Sequence, residues 1–232
     1  MDGDNQNTEQ VEQVEYAEPT GMNSRRNSLF VVVGVGVLLL IIVAFQWLMT
    51  DDDYILAEQK WRSNRDLSFK GDFDSPIPDS LRESFTKLNW YPVNREYKIT
   101  ATFEKNPDFQ RIEMPRSQGG PETYIIAGWL KFKIKGKPQR LTAYAPNPED
   151  SKVLFIPFRD LTSAKGTYGG GRYIDTRLVN DKVLLDFNRA YNPYCVYNYD
   201  FACPIPPEEN KLKVEILAGE KDFSFENATT TH

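Results

Sequence analysis

The chain has 232 residues and a net charge of −5, which is enough for one folded domain with additional segments. Most of the negative charge lies near the N-terminus, because the part from Asp51 onward holds 26 basic and 27 acidic groups. Without a basic surface to attract phosphates, this part is not expected to bind nucleic acid.

Residues 1–28 are predicted to form a disordered, acidic cytoplasmic tail. Six acidic groups and no basic group occur before Arg25, and aliphatic side chains are scarce there. Such a segment cannot bury enough apolar surface to offset the entropy lost on ordering.

Residues 29–49 are predicted to form a single transmembrane helix. The run has no charged residue and one amide, Gln46, and about 20 apolar residues span the hydrocarbon core of a bilayer. Arg25 and Arg26 precede it and three aspartates follow it, so the N-terminus is expected in the cytoplasm and the C-terminal domain in the periplasm or outside the cell. The run is long for a cleaved signal peptide and ends without a small-x-small site, which favours an uncleaved anchor in the inner membrane.

Residues 50–78 are predicted to form a juxtamembrane helix and a linker. Glu58 and Arg62 have the i,i+4 spacing that supports a helix over 54–67, and this helix is expected to space the domain from the membrane. Residues 70–79 are rich in turn-forming residues and indicate a loop.

Residues 79–223 are predicted to form a mainly β domain that begins with a short helix. Ser80 and Glu83 have the spacing of a capping box, and the helix that follows would present Leu81, Phe85 and Leu88 on one face. Residues 224–232 are predicted to be a disordered tail.

After this helix the apolar period changes to two residues, which is typical of half-buried strands. The predicted strands cover residues 97–103, 124–134, 140–144, 152–158, 173–179, 183–187 and 212–217. Turns at 136–138 and 180–181 predict two hairpins. Short strands with turn-sized gaps favour an antiparallel β-sandwich or a barrel-like domain.

Chemistry that depends on histidine is not expected. The only histidine, His232, is the last residue, so Ser-His-Asp and Cys-His catalysis and histidine metal sites are unfavourable interpretations. No phosphate-binding or dinucleotide motif is present, and the glycines at 169–171 precede a strand and indicate a turn. No cofactor and no metal are predicted.

The most irregular segment is residues 186–210, called here the 186–210 loop. It contains four prolines, four asparagines and both cysteines, and its backbone must bond to side chains and turns. Outside the cytoplasm, Cys195 and Cys203 most simply form a disulfide. Buried structural thiols, or a reactive or metal site near Arg172 or Arg189, are the alternatives.

A set of polar residues accompanies this loop as a candidate binding cluster. Asp186 and Asn188 share one face of a strand, and Arg172 or Arg189 can pair with Asp186. The same groups can form a buried network that holds the loop, a binding pocket, or an acid–base pair. The candidate residues are Asp160, Arg172, Tyr173, Asp186, Asn188, Asn192 and Asn210.

Several sequence blocks, in this order, resemble the family called domain of unknown function 1684. They are Tyr91–Ala101, Phe158–Thr162, Thr167–Tyr173, Asp186–Pro193, Cys203–Pro207, Asn210–Leu212 and Ala218–Lys221. The resemblance covers about residues 58–223 and implies the short, membrane-anchored bacterial form. It implies no known activity. It points to a shared site or a shared structural network that includes Arg172, Asp186, Asn188, Asn192, Cys195, Cys203 and Asn210.

The leading hypothesis is a non-enzymatic, membrane-anchored β domain of the cell envelope. It would bind a small or extended ligand beside the 186–210 loop, or serve a structural role. The alternative is a hydrolase-type enzyme with carboxylate or cysteine chemistry near the same loop. An enzyme would need Asp186, Arg172 and Cys195 to face a shared open cleft, whereas burial and mutual bonding would favour a structural role.

Overall fold

The computed structural model describes residues 24–145 and 152–224, and within them it leaves out the side chains of residues 24–29 and 45–52. The chain divides into two compact units, Met1–Asp52 and Asp53–His232. Helix α1 is Ser24–Gly71 and helix α2 is Asp79–Arg82. The predicted disordered tails lie mostly outside the described residues.

The first unit contains the N-terminal part of α1. No helix in the described part of the chain is long and apolar enough to cross a membrane. The prediction of a transmembrane helix over residues 29–49 is therefore not supported by this structure.

The second unit is built on one antiparallel sheet. Its strands are β1 Lys98–Lys105, β2 Arg111–Met114, β3 Glu122–Ile134, β4 Lys137–Ala145, β5 Val153–Phe158, β6 Arg172–Val179 and β7 Lys182–Asp186. Six of them close into a barrel in the order β1-β7-β6-β5-β4-β3, because β3 pairs with β1 again. Strand β2 adds to the N-terminal half of β3. The prediction of a mainly β domain is confirmed. Of the two predicted architectures, a sandwich and a barrel, the structure shows the barrel.

The barrel closes where β1 crosses β3, at Gly128. A Cβ atom on this residue would lie 2.3 Å from the carbonyl oxygen of Glu104, so glycine allows the two backbones to approach. A β-bulge between Ile126 and Gly128 shifts the register of β3 against β4 at the same place. The strand therefore changes which alternate side chains face the barrel interior.

Both predicted hairpins are confirmed. Lys135 and Gly136 connect β3 to β4, and Asn180 and Asp181 connect β6 to β7, all four with positive φ. Two consecutive residues with positive φ form the tight turn whose twist matches antiparallel strands. The barrel interior is filled by apolar side chains that include Leu130, Leu141, Ile156 and Leu185.

Two local predictions are wrong. Residues 212–217 alternate between buried and exposed as expected, but they form no strand. Leu212 and Val214 each make one backbone hydrogen bond to the chain after β5, and side chains bond both backbone groups of Ile216. Helix α2 has Pro78 at its N-cap without a side-chain hydrogen bond, so Ser80 does not start a capping box. Strand β2, over Arg111–Met114, was not predicted.

The part of α1 after Asp53 packs on the barrel within the second unit, whereas residues 50–78 were predicted to be a spacer and linker. The Tyr54 hydroxyl donates to Asp186 Oδ2 at 2.8 Å. Near the other end, Phe69 is buried against Tyr197, with ring centroids 5.0 Å apart. These contacts fix α1 beside the 186–210 loop.

Candidate functional site

Asp160 and Arg172 form a buried ion pair, with Nη2 and Oδ2 2.9 Å apart and both side chains 1% exposed. The Arg172 guanidinium also donates to the carbonyl oxygens of Ile216, Ala218 and Glu220. The other Asp160 oxygen accepts from the Ile216 N–H at 3.2 Å. The pair therefore holds the extended C-terminal segment against the barrel.

Asp186 and Asn188 form a second buried group. Asp186 accepts hydrogen bonds from the Tyr54 hydroxyl and from the Asn188 backbone N–H. The Asn188 side chain bonds both backbone groups of Asn94, at 2.8 Å each. These bonds join α1 and the chain before β1 to the end of β7, which is a structural role.

Asn192 belongs to a third buried group, which contains a carboxylate that was not predicted. The Asn192 N–H donates to Glu220 Oε2 at 3.0 Å, and the Tyr197 hydroxyl donates to Glu220 Oε1. Burial raises the pKa of Glu220 to about 7. A single glutamate in the pattern Ala-Gly-Glu-Lys gives no sequence signal that it is fully buried.

Asn210 lies apart from these groups and closes a gap between strands. Its Oδ1 accepts the Thr142 N–H at 2.7 Å, and its Nδ2 donates to the Thr142 and Pro157 carbonyl oxygens. The amide therefore replaces backbone pairing between β4 and β5, and its hydrogen-bonding groups are used in this contact.

The predicted polar cluster is thus divided among separate places. Asp186 lines a cavity of about 270 Å³ with Glu58 and Arg189, while Arg172 and Cys195 line neither that cavity nor the larger one described next. The arrangement that an enzyme would need, with Asp186, Arg172 and Cys195 in one open cleft, is not present.

A larger cavity of about 590 Å³ lies between the part of α1 after Asp53, the outer face of the sheet and the 186–210 loop. It is called here the aromatic cavity. Its wall includes seven large aromatic side chains, namely Trp61, Tyr124, Phe155, Tyr173, Tyr191, Tyr194 and Phe201. Of the predicted candidates, Tyr173 and Cys203 lie in this wall. The volume is in the range of sites for small organic molecules.

Two arginines and one aspartate add charge to this cavity. Arg189 is held by Glu58, which accepts from its Nε and Nη2. Arg65 lies over the rings of Phe69 and Tyr191, with its Cζ 4.8 Å from each centroid. Among the described residues, no hydrogen-bond partner contacts the buried Nε and Nη2 atoms of Arg65.

Asp175 also lines the aromatic cavity and accepts a hydrogen bond from the Tyr191 hydroxyl. Burial raises the pKa of Asp175. The wall thus holds two cations of different kinds, since Arg189 is paired with Glu58 whereas Arg65 is held by aromatic rings.

Cys195 and Cys203 are buried and free. The Cys195 backbone N–H donates to Cys203 Sγ at 3.2 Å, and the Cys203 N–H donates to Ser117 Oγ at 3.0 Å. The disulfide predicted between them is not formed in this structure. The contact with Cys203 lowers the pKa of Cys195 to about 6, and the same contact raises the pKa of Cys203.

Among the described residues, no group of three or more histidine, cysteine, aspartate or glutamate side chains is placed to hold a metal ion. The fold and the site together define a small closed β-barrel domain with an aromatic cavity on its outer face.

The chain belongs to the family of proteins of unknown function called DUF1684, whose model matches residues 83–221. It is similar to an uncharacterised protein from Haloarcula marismortui, gene locus rrnAC0354, known from a solution NMR structure. The two are 32% identical with a TM-score of 0.59, over 74% of this chain and 96% of that one. No curated protein matches the chain.

Proposed function

We propose that the protein binds a small ligand with a flat apolar body and one anionic group in the aromatic cavity. The observation that carries this proposal is a cavity of about 590 Å³ with aromatic walls and Arg65 at its side. The leading prediction from sequence, a ligand bound beside the 186–210 loop, has the same location.

The wall chemistry supports this ligand class. Aromatic side chains bind flat apolar groups by stacking and edge contacts. The positive charge of Arg65 in the wall attracts a carboxylate or sulfonate, and charge-assisted bonds to a guanidinium are stronger than neutral ones. Asp175 lies in the same wall, where it accepts a hydrogen bond from the Tyr191 hydroxyl.

A fluorescence titration with anilinonaphthalene sulfonate, an aromatic anion, tests the proposal. Ala202→Phe fills the cavity from the loop side and is expected to abolish saturable binding. Arg65→Met removes the cation and is expected to raise Kd about tenfold, since a hydrogen bond to a charged group contributes about 1.5–3 kcal/mol.

Arg140→Met is the matched control for this titration. Arg140 also lies over an aromatic ring, that of Trp129, but not in the cavity wall. This variant is expected to bind the probe as the wild type does. Equal affinity in the wild type, Ala202→Phe and Arg65→Met would show that the probe binds elsewhere and would overturn the proposal.

We also propose that residues 29–49 anchor the protein in the inner membrane, with the second unit on the periplasmic side. The support comes from the sequence, where an uncharged apolar run lies between two arginines and three aspartates. The large apolar side chains from Phe30 to Val43 are also all exposed, as expected for a helix that meets lipid.

Carbonate extraction of membranes from cells that make the full-length protein tests the anchor. The wild type is expected to stay with the membranes, and a variant with arginine at both Val37 and Leu38 is expected to be released, because each arginine costs about 2.5–3.5 kcal/mol at a helix centre. Leu56→Arg, an exposed site in the second unit, is the control. Release of the wild type would contradict the anchor.

A further inference from the structure

The cysteine pair lies beside the aromatic cavity but has no part in the proposed ligand binding. Cys203 is in the cavity wall, and Cys195 lies behind it, with its backbone N–H on Cys203 Sγ. We propose that these two thiols are a redox-active pair that reduces small disulfides entering the aromatic cavity and closes into a reversible intramolecular disulfide.

The two cysteines are held by separate segments that fix them close together. Cys195 is in a short 3-10 turn, Tyr194–Val196. Cys203 is fixed on both backbone groups by Ser117, which donates its N–H to the Cys203 carbonyl at 2.8 Å and accepts the Cys203 N–H on its hydroxyl. Because the backbone is fixed at both ends, the pair can react without rearranging the barrel.

Neutral groups surround the sulfur of Cys195 and stabilise its thiolate. Interaction with the neighbouring Cys203 thiol, and to a lesser degree with the Ser117 and Tyr168 hydroxyls, lowers the pKa of Cys195 to about 6. The sequence pointed instead to an arginine as the source of reactivity, but Arg172 and Arg189 are bonded to Asp160 and Glu58. The pair therefore carries one negative charge near neutral pH, shared by two adjacent sulfurs.

The reaction proceeds by two thiol–disulfide exchanges. Transfer of the remaining proton from Cys203 to Cys195 leaves the thiolate on Cys203, the cysteine in the cavity wall. Its sulfur attacks one sulfur of R–S–S–R, so that a Cys203–S–R bond forms and the first RS⁻ leaves. Cys195 then attacks the Cys203 sulfur, forms the Cys195–Cys203 bond and expels the second RS⁻. Before this second attack the single proton of the pair passes from Cys195 to the first RS⁻, so the products are one RSH and one RS⁻, the small disulfide is reduced and the protein is oxidised.

The test uses the reduced full-length protein and Ellman's reagent, an aromatic disulfide that bears carboxylates. The folded wild type is expected to release two thionitrobenzoate ions per chain and to become lighter by two hydrogen atoms, with no retained adduct. Cys195→Ser is expected to release one ion and to keep the other half of the reagent on Cys203. Intact-mass measurement separates these products.

The pH profile of the first exchange distinguishes a reactive pair from two ordinary thiols. The wild-type rate is expected to be half-maximal near pH 6, as the lowered pKa requires. Cys195→Ser removes the thiol that shares a proton with Cys203. It should move the midpoint of the pH–rate profile toward the ordinary thiol pKa of about 8.5. Ser117→Ala removes one hydroxyl and should move the midpoint in the same direction while leaving the stoichiometry at two.

Ala202→Phe keeps both thiols and blocks the cavity. It is expected to slow the reaction of the folded protein with Ellman's reagent and to leave the reaction rate of the urea-unfolded protein unchanged. Cys195→Ser separates this proposal from the ligand proposal, because Cys195 is not in the cavity wall: the variant should lower the thiol stoichiometry to one and leave the Kd of the anionic fluorescent probe unchanged. Circular dichroism checks that each variant is folded.

Three results would overturn the proposal. In the first, the folded wild type releases no thionitrobenzoate although the unfolded protein releases two ions per chain. This result would mean that the thiols are buried and unreactive. Another is a stable mixed disulfide on the wild type. The third is a Cys195–Cys203 disulfide that millimolar dithiothreitol cannot reduce in the folded protein, which describes a purely structural bond.

Discussion

Glu220 combines full burial with an ionisable group, and its side chain joins the 186–210 loop to the C-terminal segment. Its two oxygens accept from the Asn192 N–H and the Tyr197 hydroxyl, so the carboxylate is bonded but surrounded by protein. Burial raises its pKa from 4.5 to about 7. The folded protein therefore holds a proton at Glu220 that the unfolded chain loses at lower pH.

This difference predicts that stability falls as pH rises from about 4.5 to about 7, because the folded state binds more protons than the unfolded state in that window. Glu220→Gln cannot ionise and should remove this part of the pH dependence, which is on the order of 2–3 kcal/mol. Urea unfolding of both proteins at pH 4.5, 5.5 and 7 measures it. Parallel pH profiles for the two proteins would contradict the prediction.

The grouping of the buried polar residues could not be predicted from the sequence. The sequence singled out a candidate binding cluster that includes Asp160, Arg172, Asp186, Asn188, Asn192 and Asn210, and all six side chains are buried. Their division among separate buried groups depends on contacts with residues far away in the chain, such as Tyr54, Thr142 and Ile216. No local pattern contains that information.

Among the elements, α1 determines whether the aromatic cavity exists. Trp61 and Arg65 supply one of its walls, and Phe69, one turn further on, is buried with Phe85 and Tyr197. The helix was predicted over 54–67, but its apolar pattern did not show that it packs on the barrel. One helical face holds it in place, through polar bonds of Tyr54 and Glu58 near its start and aromatic contacts of Phe69 near its end.

We expect Phe69→Ala to destabilise the protein by about 3–5 kcal/mol, the usual cost of removing a buried phenylalanine. The variant should also bind anilinonaphthalene sulfonate more weakly, because α1 loses its fixed position beside the loop. Leu67→Ala, two residues away and 68% exposed, is the control and should change stability by less than about 0.5 kcal/mol. Urea unfolding with the probe titration tests both; equal effects of the two substitutions would argue against this role of Phe69.

For the whole molecule, the strands and hairpins followed from period-two alternation and from the turn at Asn180 and Asp181. Closure into a barrel did not, because it depends on a second pairing of β3 with β1 at Gly128. The bulge before Gly128 also places Tyr124 and Leu130 on opposite faces, although both positions are even-numbered. A strict alternation along β3 would have put them on the same face.

The position of the aromatic cavity outside the barrel has a consequence for how such a domain can change. Leu154 and Ile156 point into the packed interior, while Phe155 between them points into the cavity wall. Alternate side chains of one strand therefore face either the barrel interior or the cavity, so a substitution in the cavity wall leaves the packing of the barrel interior intact. We expect one barrel scaffold to acquire new ligand preferences by substitution on its outer face alone.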